Sequence, residues 1–401
     1  MEHEIKPGES MIRTGCRFRR LKCIVAQPHR FVNLAWQQVV RQGLFAVVLL
    51  FQGFPGRSIA QDEIPATEFY RQALDRLGPE SRIHWSEAGE TSLRRWEPGR
   101  TIELRGVLIE WEPDRVVLAR RDGNGPSTFP GDFVVGIEPG WKDEAFANVH
   151  ALFTEHRFAD VIREGQAVLK LPSIPRWQQR MIVAEMVQSA SALGQWQVAG
   201  KIYGYLSQDP APQLLRSAIP LPWSDELLGS GKGVRDMASS WIQSEPSEMQ
   251  LLGASWLIGS EQNALAIETL QRLVEQEDPM ISQYAKVQLW RMVPPSEIES
   301  VHFGKWVAFR DSLPLALQAG PTMLLGHRLD QAGATHLAIA EWLRIASFHG
   351  DRYHLQVRAI ARAAAAARAA GEGDEAERIV GRYSFDGQIP NNHSRVPRGS
   401  R

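Results

Sequence analysis

Residues 323–345 read MLLGHRLDQAGATHLAIAEWLRI. Apolar side chains recur at three- and four-residue intervals on both sides of Ala332-Gly333, which predicts two helices folded back on each other at that turn. In the second of them Ala338 precedes Trp342 by one helical turn. A small residue at that place lets two helices approach closely, and a bulky one fills the groove beside it. The same arrangement can be read three more times. AFANVHALFTEHRFADVIREGQAVLKLP (145–172) turns near Glu155-His156, WQQRMIVAEMVQSASALGQWQVAGKIYGYLSQDPAP (177–212) at Gly194-Gln195, and IARAAAAARAAGEGDEAERIVGRY (360–383) at Gly371-Glu372-Gly373. Aligned on the small residue, the second helices give Ala159, Ala199, Ala338 and Ala376, followed by Ile162, Tyr203, Trp342 and Val380.

These hairpins resemble tetratricopeptide repeats, with Leu325-Gly326, Ala338 and Trp342 nearest to that motif. The resemblance assigns packing roles to Ala159, Ala199, Tyr203, Gly326, Ala338, Trp342 and Ala376. The spacing between paired alanines, 40 and 38 positions, exceeds the usual ~34, so the repeats are degenerate. ASWLIGSEQNALAIETLQRLVEQEDPMISQYAKVQLWRM (254–292) breaks at Asp278-Pro279, where proline suits a first helical turn, and places Ala285 and Leu289 on one face. It resembles a HEAT-type repeat.

Upstream the period changes. RTIELRGVLIEWEPDRVVLARRDGNGPSTFPGDFVVGIEPGW (100–141) predicts three short strands, over Ile102–Ile109, Arg115–Ala119 and Phe133–Ile137, with Gly106 interrupting the first as a bulge does. Gly106-Val107, Val116-Val117-Leu118 and Val134-Val135-Gly136-Ile137 resemble the strands of small SH3-like or Sm-like β modules, which serve as peptide-binding or packing platforms. The fold class that follows is mainly α: an α-solenoid of helical hairpins preceded by a small β module. The divisions are a leader (1–60), a short helix in ATEFYRQALDRL with the β module (61–140), helical repeats (141–215), a linker-like region (216–249), further repeats (250–385) and a polar tail (386–401). The linker reading rests on IPLPWSDELLGSGKGVRD, where proline and glycine cluster and no period survives.

The leader holds RQGLFAVVLLFQGFPGRSIAQ (41–61). Leu44–Phe51 is an unbroken apolar run, too short for the roughly 20 residues of a membrane-spanning helix and suited to a secretory core. Ser58 and Ala60 supply the small residues of a cleavage site before Gln61. From Met11 to Gln42 the charged residues are all basic. The reading is export, with cleavage at Ala60-Gln61 or, alternatively, retention as an N-terminal membrane anchor. Beyond residue 60 the chain holds 36 basic and 43 acidic side chains, a formal charge of −7, which argues against nucleic acid as a partner. Both cysteines, Cys16 and Cys23, lie in the leader, so the remaining chain has no disulfide, thiolate ligand or cysteine nucleophile.

No catalytic motif emerges. GSGKG (229–233) lacks the early glycine and the hydroxyl residue of a phosphate loop, since Glu226 and Gly233 stand there. Histidines form no HExxH or i, i+4 metal pair, and only His349, Asp351 and His354 gather at one predicted turn. No G-x-S-x-G elbow and no distinct carboxylate pair is present. No cofactor or metal is assigned. The 13 tryptophans read as repeat core, with stacking on sugar as the rival use. The whole resembles uncharacterised exported bacterial proteins that join a β module to helical repeats. It implies a non-catalytic protein binding another protein or a peptide in the cell envelope. The alternative is an exported polysaccharide-active or glycan-binding protein on a helical scaffold.

Overall fold

The computed structural model describes residues 67–86, 101–171, 174–225, 232–298, 300–349 and 352–383. The leader, with Ser58, Ala60 and Gln61, and the tail 386–401 lie outside them. All described residues belong to the unit Ile64–Arg401. That unit is mainly helical, with one small antiparallel sheet of five strands.

Helix α1 (Glu68–Leu77) is capped by Thr67, whose hydroxyl accepts from the Tyr70 N–H. Strands β1 (Ser81–Ser86), β2 (Thr101–Trp111), β3 (Arg115–Ala119), β4 (Pro126–Pro130) and β5 (Val134–Glu138) follow, in the spatial order β4-β3-β2-β1-β5. The long strand β2 changes partner midway: residues 101–106 pair with β1 and residues 107–111 with β3. Gly106 sits at that change, where a Cβ would lie 2.6 Å from the Ala119 carbonyl oxygen. The register shift itself falls later, between Leu108 and Glu110. Tyr70 and Ala73 of α1 pack on Val107 and Ala119, while Leu108, Val116 and Leu118 join the main core. Both faces of β2 and β3 are thus covered, which explains the near-continuous apolar run of β3. Two strands lie outside the predicted three. β1 shows only one turn of alternation around buried Ile83. β4 begins and ends in proline, which an edge strand tolerates because one side of its ladder is unpaired.

The remaining helices are α2 (Glu144–Thr154), α3 (Phe158–Val168), α4 (Arg176–Ala192), α5 (Trp196–Leu206), α6 (Gln213–Arg216), α7 (Lys232–Trp241), α8 (Ser247–Leu257), α9 (Asn263–Val274), α10 (Pro279–Leu289), α11 (Ser300–Ser312), α12 (Leu315–Gln331), α13 (Thr335–Phe348), α14 (Tyr353–Ala369) and α15 (Gly373–Arg382). Four hairpins, α2/α3, α4/α5, α12/α13 and α14/α15, turn in the same way. His156, Gly194, Gly333 and Gly371 have φ of 60, 71, 80 and 84°. The next residue in each donates to the carbonyl five positions back: Arg157 to Leu152 (2.9 Å), Gln195 to Ala190 (2.8 Å), Ala334 to Leu329 (2.9 Å) and Glu372 to Ala367 (2.9 Å). The positive-φ residue itself donates three positions back, completing a Schellman motif that satisfies the orphan carbonyls of the first helix.

The shared turn sets the phase of each second helix. Its fourth residue is Val161, Ala199, Ala338 or Ala376, each fully buried. Ala159 is therefore a correction: it is exposed, one residue into α3, because the positive-φ residue fixes the helix rotation and His156 lacks the glycine that marks the other turns. With Val161 in its place, residues 161 and 199 are 38 apart, as are 338 and 376. Gly165 takes the next contact, where a Cβ would come within 2.6 Å of Met186 Sδ. Tyr203 and Trp342 fill that place in α5 and α13, and Gly326 admits the indole, since a Cβ there would lie 2.7 Å from Trp342 Cδ1. In the HEAT-like stretch Asp278 caps α10, its Oδ1 accepting from Met280 (3.0 Å) and Ile281 (3.1 Å), and Ala285 is buried.

Residues 216–249, read as linker-like, hold core and helix. Ala218, Ile219, Leu221, Trp223 and Ser224 are all buried. Pro220 accepts a 3.0 Å hydrogen bond from Trp256 Nε1, and Trp223 meets the Tyr284 ring edge-on at 5.1 Å. Trp223 also lies so close to Gly320 of α12 that a Cβ there would sit 2.8 Å from Cδ2. Prolines explain how an irregular segment can be buried: Pro220 and Pro222 carry no N–H that needs a partner. Around this segment α6 and α12 pack on β5, and α14 packs on α4. Arg352 reaches back to the Leu214 carbonyl (2.8 Å) and the Ser217 hydroxyl. The early and late hairpins therefore share one core.

Candidate functional site

The seam between early and late hairpins is unusually polar for an interior. Helix α4 is buried along most of its length, with Gln178, Arg180, Glu185, Gln188 and Ser189 among its buried residues, and α12 carries buried Gln318, Thr322, His327 and Arg328. A helix covered on all sides is normally apolar, so each polar group needs an account. Some are structural. Arg180 bonds Glu112 (2.8 Å), Asp209 (3.0 Å) and the Trp111 carbonyl, tying the sheet to α4. Thr322 donates to the Gln318 carbonyl (2.7 Å), and Gln318 to that of Leu313 (2.8 Å).

Charge pairing follows the same rule in most of the interior. Arg216 meets Glu248 (2.7 Å) and Asp278 (2.6 Å), and Arg310 meets Asp311 (2.7 Å) and Glu341. Asp225 accepts from Arg291 (2.9 Å), Gln331 (3.2 Å) and Arg328 (3.4 Å). Burial pushes its carboxyl up, but these partners outweigh burial and hold it below the usual carboxylate range.

Arg358 of α14 departs from this pattern. Its guanidinium lies 4.5 Å over the Trp196 ring and donates to the Ser191 carbonyl at 3.4 Å, with no carboxylate beside it among the described residues. Burial lowers its pKa to about 10. One helical turn earlier, His354 is 5% exposed and its Nδ1 has no hydrogen-bond partner; His327 of α12 is 7% exposed with Nε2 likewise unpartnered. Burial holds both rings neutral, with pKa values near 3 for His354 and 4 for His327; Arg358 adds to the depression in each, while at His327 the Asp225 carboxylate opposes it more strongly than Arg358 acts. No sequence signal joins these three residues, because they come from two helices and meet an indole from a third.

The cluster read from sequence resolves differently. Asp351 lies outside the described residues. His349 is buried with Nε2 unpartnered, and burial followed by Arg352, Arg344 and Arg310 lowers its pKa to about 3. Half-buried His150 pairs its Nδ1 with buried Glu185 at 2.6 Å, beside Trp141 and Trp177, whose rings stack at 5.8 Å. Burial raises the Glu185 carboxyl against the opposing effect of His150. Of GSGKG, residues 229–231 lie outside the described residues, while Lys232 and Gly233 open α7. Among the described residues no group of three or more His, Cys, Asp or Glu is placed to hold a metal ion, and no helix is long and apolar enough to cross a membrane. An open groove of about 590 Å³ lies where α13 meets α15, lined by His336, Ile339, Glu372, Asp374, Glu375 and Arg378 among others.

Of the predicted packing residues, Ala199, Tyr203, Gly326, Ala338, Trp342 and Ala376 are buried between helices, and only Ala159 is not. Nine of the eleven described tryptophans are buried, and Trp85 and Trp141 are half-buried. No family model, no curated protein and no solved structure matches the chain.

Proposed function

We propose that the chain is exported and acts by binding a polypeptide partner in the cell envelope, on a solenoid of helical hairpins joined to an SH3-like or Sm-like module. The observation that carries this reading is a repeated surface. Val198, Leu265 and Leu337 stand at the third residue of α5, α9 and α13 and are 36, 38 and 59% exposed, with Tyr205 further along α5 at 71%. Repeat arrays present equivalent outward positions to one extended ligand, and apolar side chains there give it something to bury against. The β module is supported as SH3-like or Sm-like by a helix followed by five strands, with β5 returning to β1 and β2 shared between two partners. Export, by a cleaved signal or a retained anchor, rests on the leader sequence. The polysaccharide reading asks for exposed rings beside paired carboxylates, and no described tryptophan is exposed.

Site-specific photo-crosslinking in producing cells tests the proposal. A crosslinker at 337 or 205 should yield one discrete adduct with another polypeptide, whereas one at exposed Arg378 should not. Failure at both positions, or the same adducts from all three, would overturn it.

A further inference from the structure

We propose that residues 384–401 of this chain fold back into the open groove between α13 and α15, setting Arg395, Arg398 and Arg401 against its carboxylates. Three observations converge on this. The first is the groove itself. At about 590 Å³ it has the size of a binding cleft. Its wall at Gly371 and Gly373 is bare backbone, since a Cβ built at either would meet nothing within 4 Å, and Ile339 adds an apolar side chain.

The second is charge. Glu372, Asp374 and Glu375 line the groove against one guanidinium, Arg378, and one imidazole, His336. His336 pairs with Glu372 at 2.8 Å and Arg378 with Glu375 at 2.5 Å, whereas Asp374 meets no cation among the described residues. Glu372, the N-cap of α15, makes no side-chain cap, so the first N–H groups of the helix stay open to an acceptor. A polypeptide with basic side chains answers both sets, with guanidinium groups for the carboxylates and carbonyls for the N–H groups. A free anion or a metal ion would use only one.

The third is where the chain goes. Residues 384–401 lie outside the described residues and carry three arginines, three positions apart, against one acidic residue, Asp386. They continue directly from Tyr383, whose hydroxyl stands 3.3 Å from that of Ser347 on α13. The segment therefore starts at one end of the helix pair whose other end forms the groove. Helix α15 has 10 residues and is about 15 Å long, while the twelve residues from Tyr383 to Arg395 can span about 40 Å. A tethered segment meets its site at about millimolar local concentration, so exposed ion pairs of modest strength suffice. His336 and Ile339 bracket Leu337 in the sequence, so a basic partner at the surface proposed above must displace the segment. That consequence rests on the partner reading, whereas the docking does not.

The test uses the purified full chain carrying the photo-crosslinker p-benzoylphenylalanine in place of Val396. Irradiation should give a link that mass spectrometry maps to residues 336–339 or 371–378. Mixed ¹⁴N and ¹⁵N chains separate a link within one chain from a link between two copies. Asp374→Asn combined with Glu375→Gln should cut the link at least about fivefold, and so should about 0.5 M sodium chloride. Glu277→Gln, at an exposed carboxylate that takes no part in the groove, should leave it unchanged. Because the groove variant could be blamed for disturbing α15, Arg395→Gln, Arg398→Gln and Arg401→Gln together should read the same loss without touching that helix. Links mapped elsewhere, links between two copies, or links that survive removal of either set of charges would each overturn the docking.

Discussion

Replacing Asp225 by asparagine isolates the charge at the junction of three elements. Arg291 is fully buried and Arg328 nearly so, while Asp225 keeps about a third of its side chain exposed. Removing one partner of a buried ion pair costs about 3–5 kcal/mol. Asparagine retains an acceptor, and solvent at Asp225 screens part of the charge, so the cost falls to about 2–3 kcal/mol. With roughly 300 ordered residues at about 2.1 cal/mol/K each, this lowers the melting temperature by about 3–5 °C. The pH dependence fixes the cause. The folded Asp225 carboxyl lies below its ordinary value, so its stabilisation is present above the unfolded pKa of about 3.9 and is lost as pH falls through the lower folded value. Wild type and variant should differ fully at pH 7 and converge below about pH 4. Urea titrations at pH 7, 5 and 3.5, followed by tryptophan fluorescence, measure both quantities. A difference below about 0.5 kcal/mol at pH 7, or one that does not shrink with acid, refutes the reasoning.

Gly326→Ala should cost about 1–3 kcal/mol by driving a methyl group into Trp342, whereas Gly304→Ala, in a helix with open space around it, should gain about 0.5–1 kcal/mol; paired urea curves check the opposite signs. Glu185→Gln should raise the melting temperature at pH 7. Burial raises the folded carboxyl's pKa, so the stability it supplies is present in acid and lost as pH rises, and the gain should vanish below about pH 4. Histidines 327, 349 and 354 are held neutral with pKa values of about 4, 3 and 3, so they stabilise above pH ~6.5 and that contribution falls away in acid. His349→Asn should therefore flatten the stability profile between pH 6.5 and 5 by about one proton, ~1.4 kcal/mol per pH unit, as measured by melts across that range.

The hairpins are legible because their turns carry glycine at 194, 333 and 371, and glycine is the residue that a positive φ selects. The first hairpin repeats the geometry with His156, and an alignment on alanine then misses the buried position by two residues. The buried run 218–224 is opaque for another reason. Ile219, Leu221 and Trp223 alternate at the period of an extended chain, but the prolines between them also mark linkers. Helix α7 hides beside the glycines of 229–233, although Val234, Ala238 and Trp241 are buried at helical spacing. The candidate site is not legible. Arg358 rests on Trp196, far away in sequence, whereas Arg368 on the same helix is exposed and pairs with Glu377, and no spacing in the sequence tells the two arginines apart.

The segment 217–225 ties the early and late hairpins into one core. Hydrogen–deuterium exchange of the peptide covering those residues tests this directly. Amides at Ala218, Ile219 and Leu221, which donate to Leu215, Arg216 and Ile219, should exchange as slowly as those of α4 and α12. Exchange within seconds, as in a solvated linker, would contradict it.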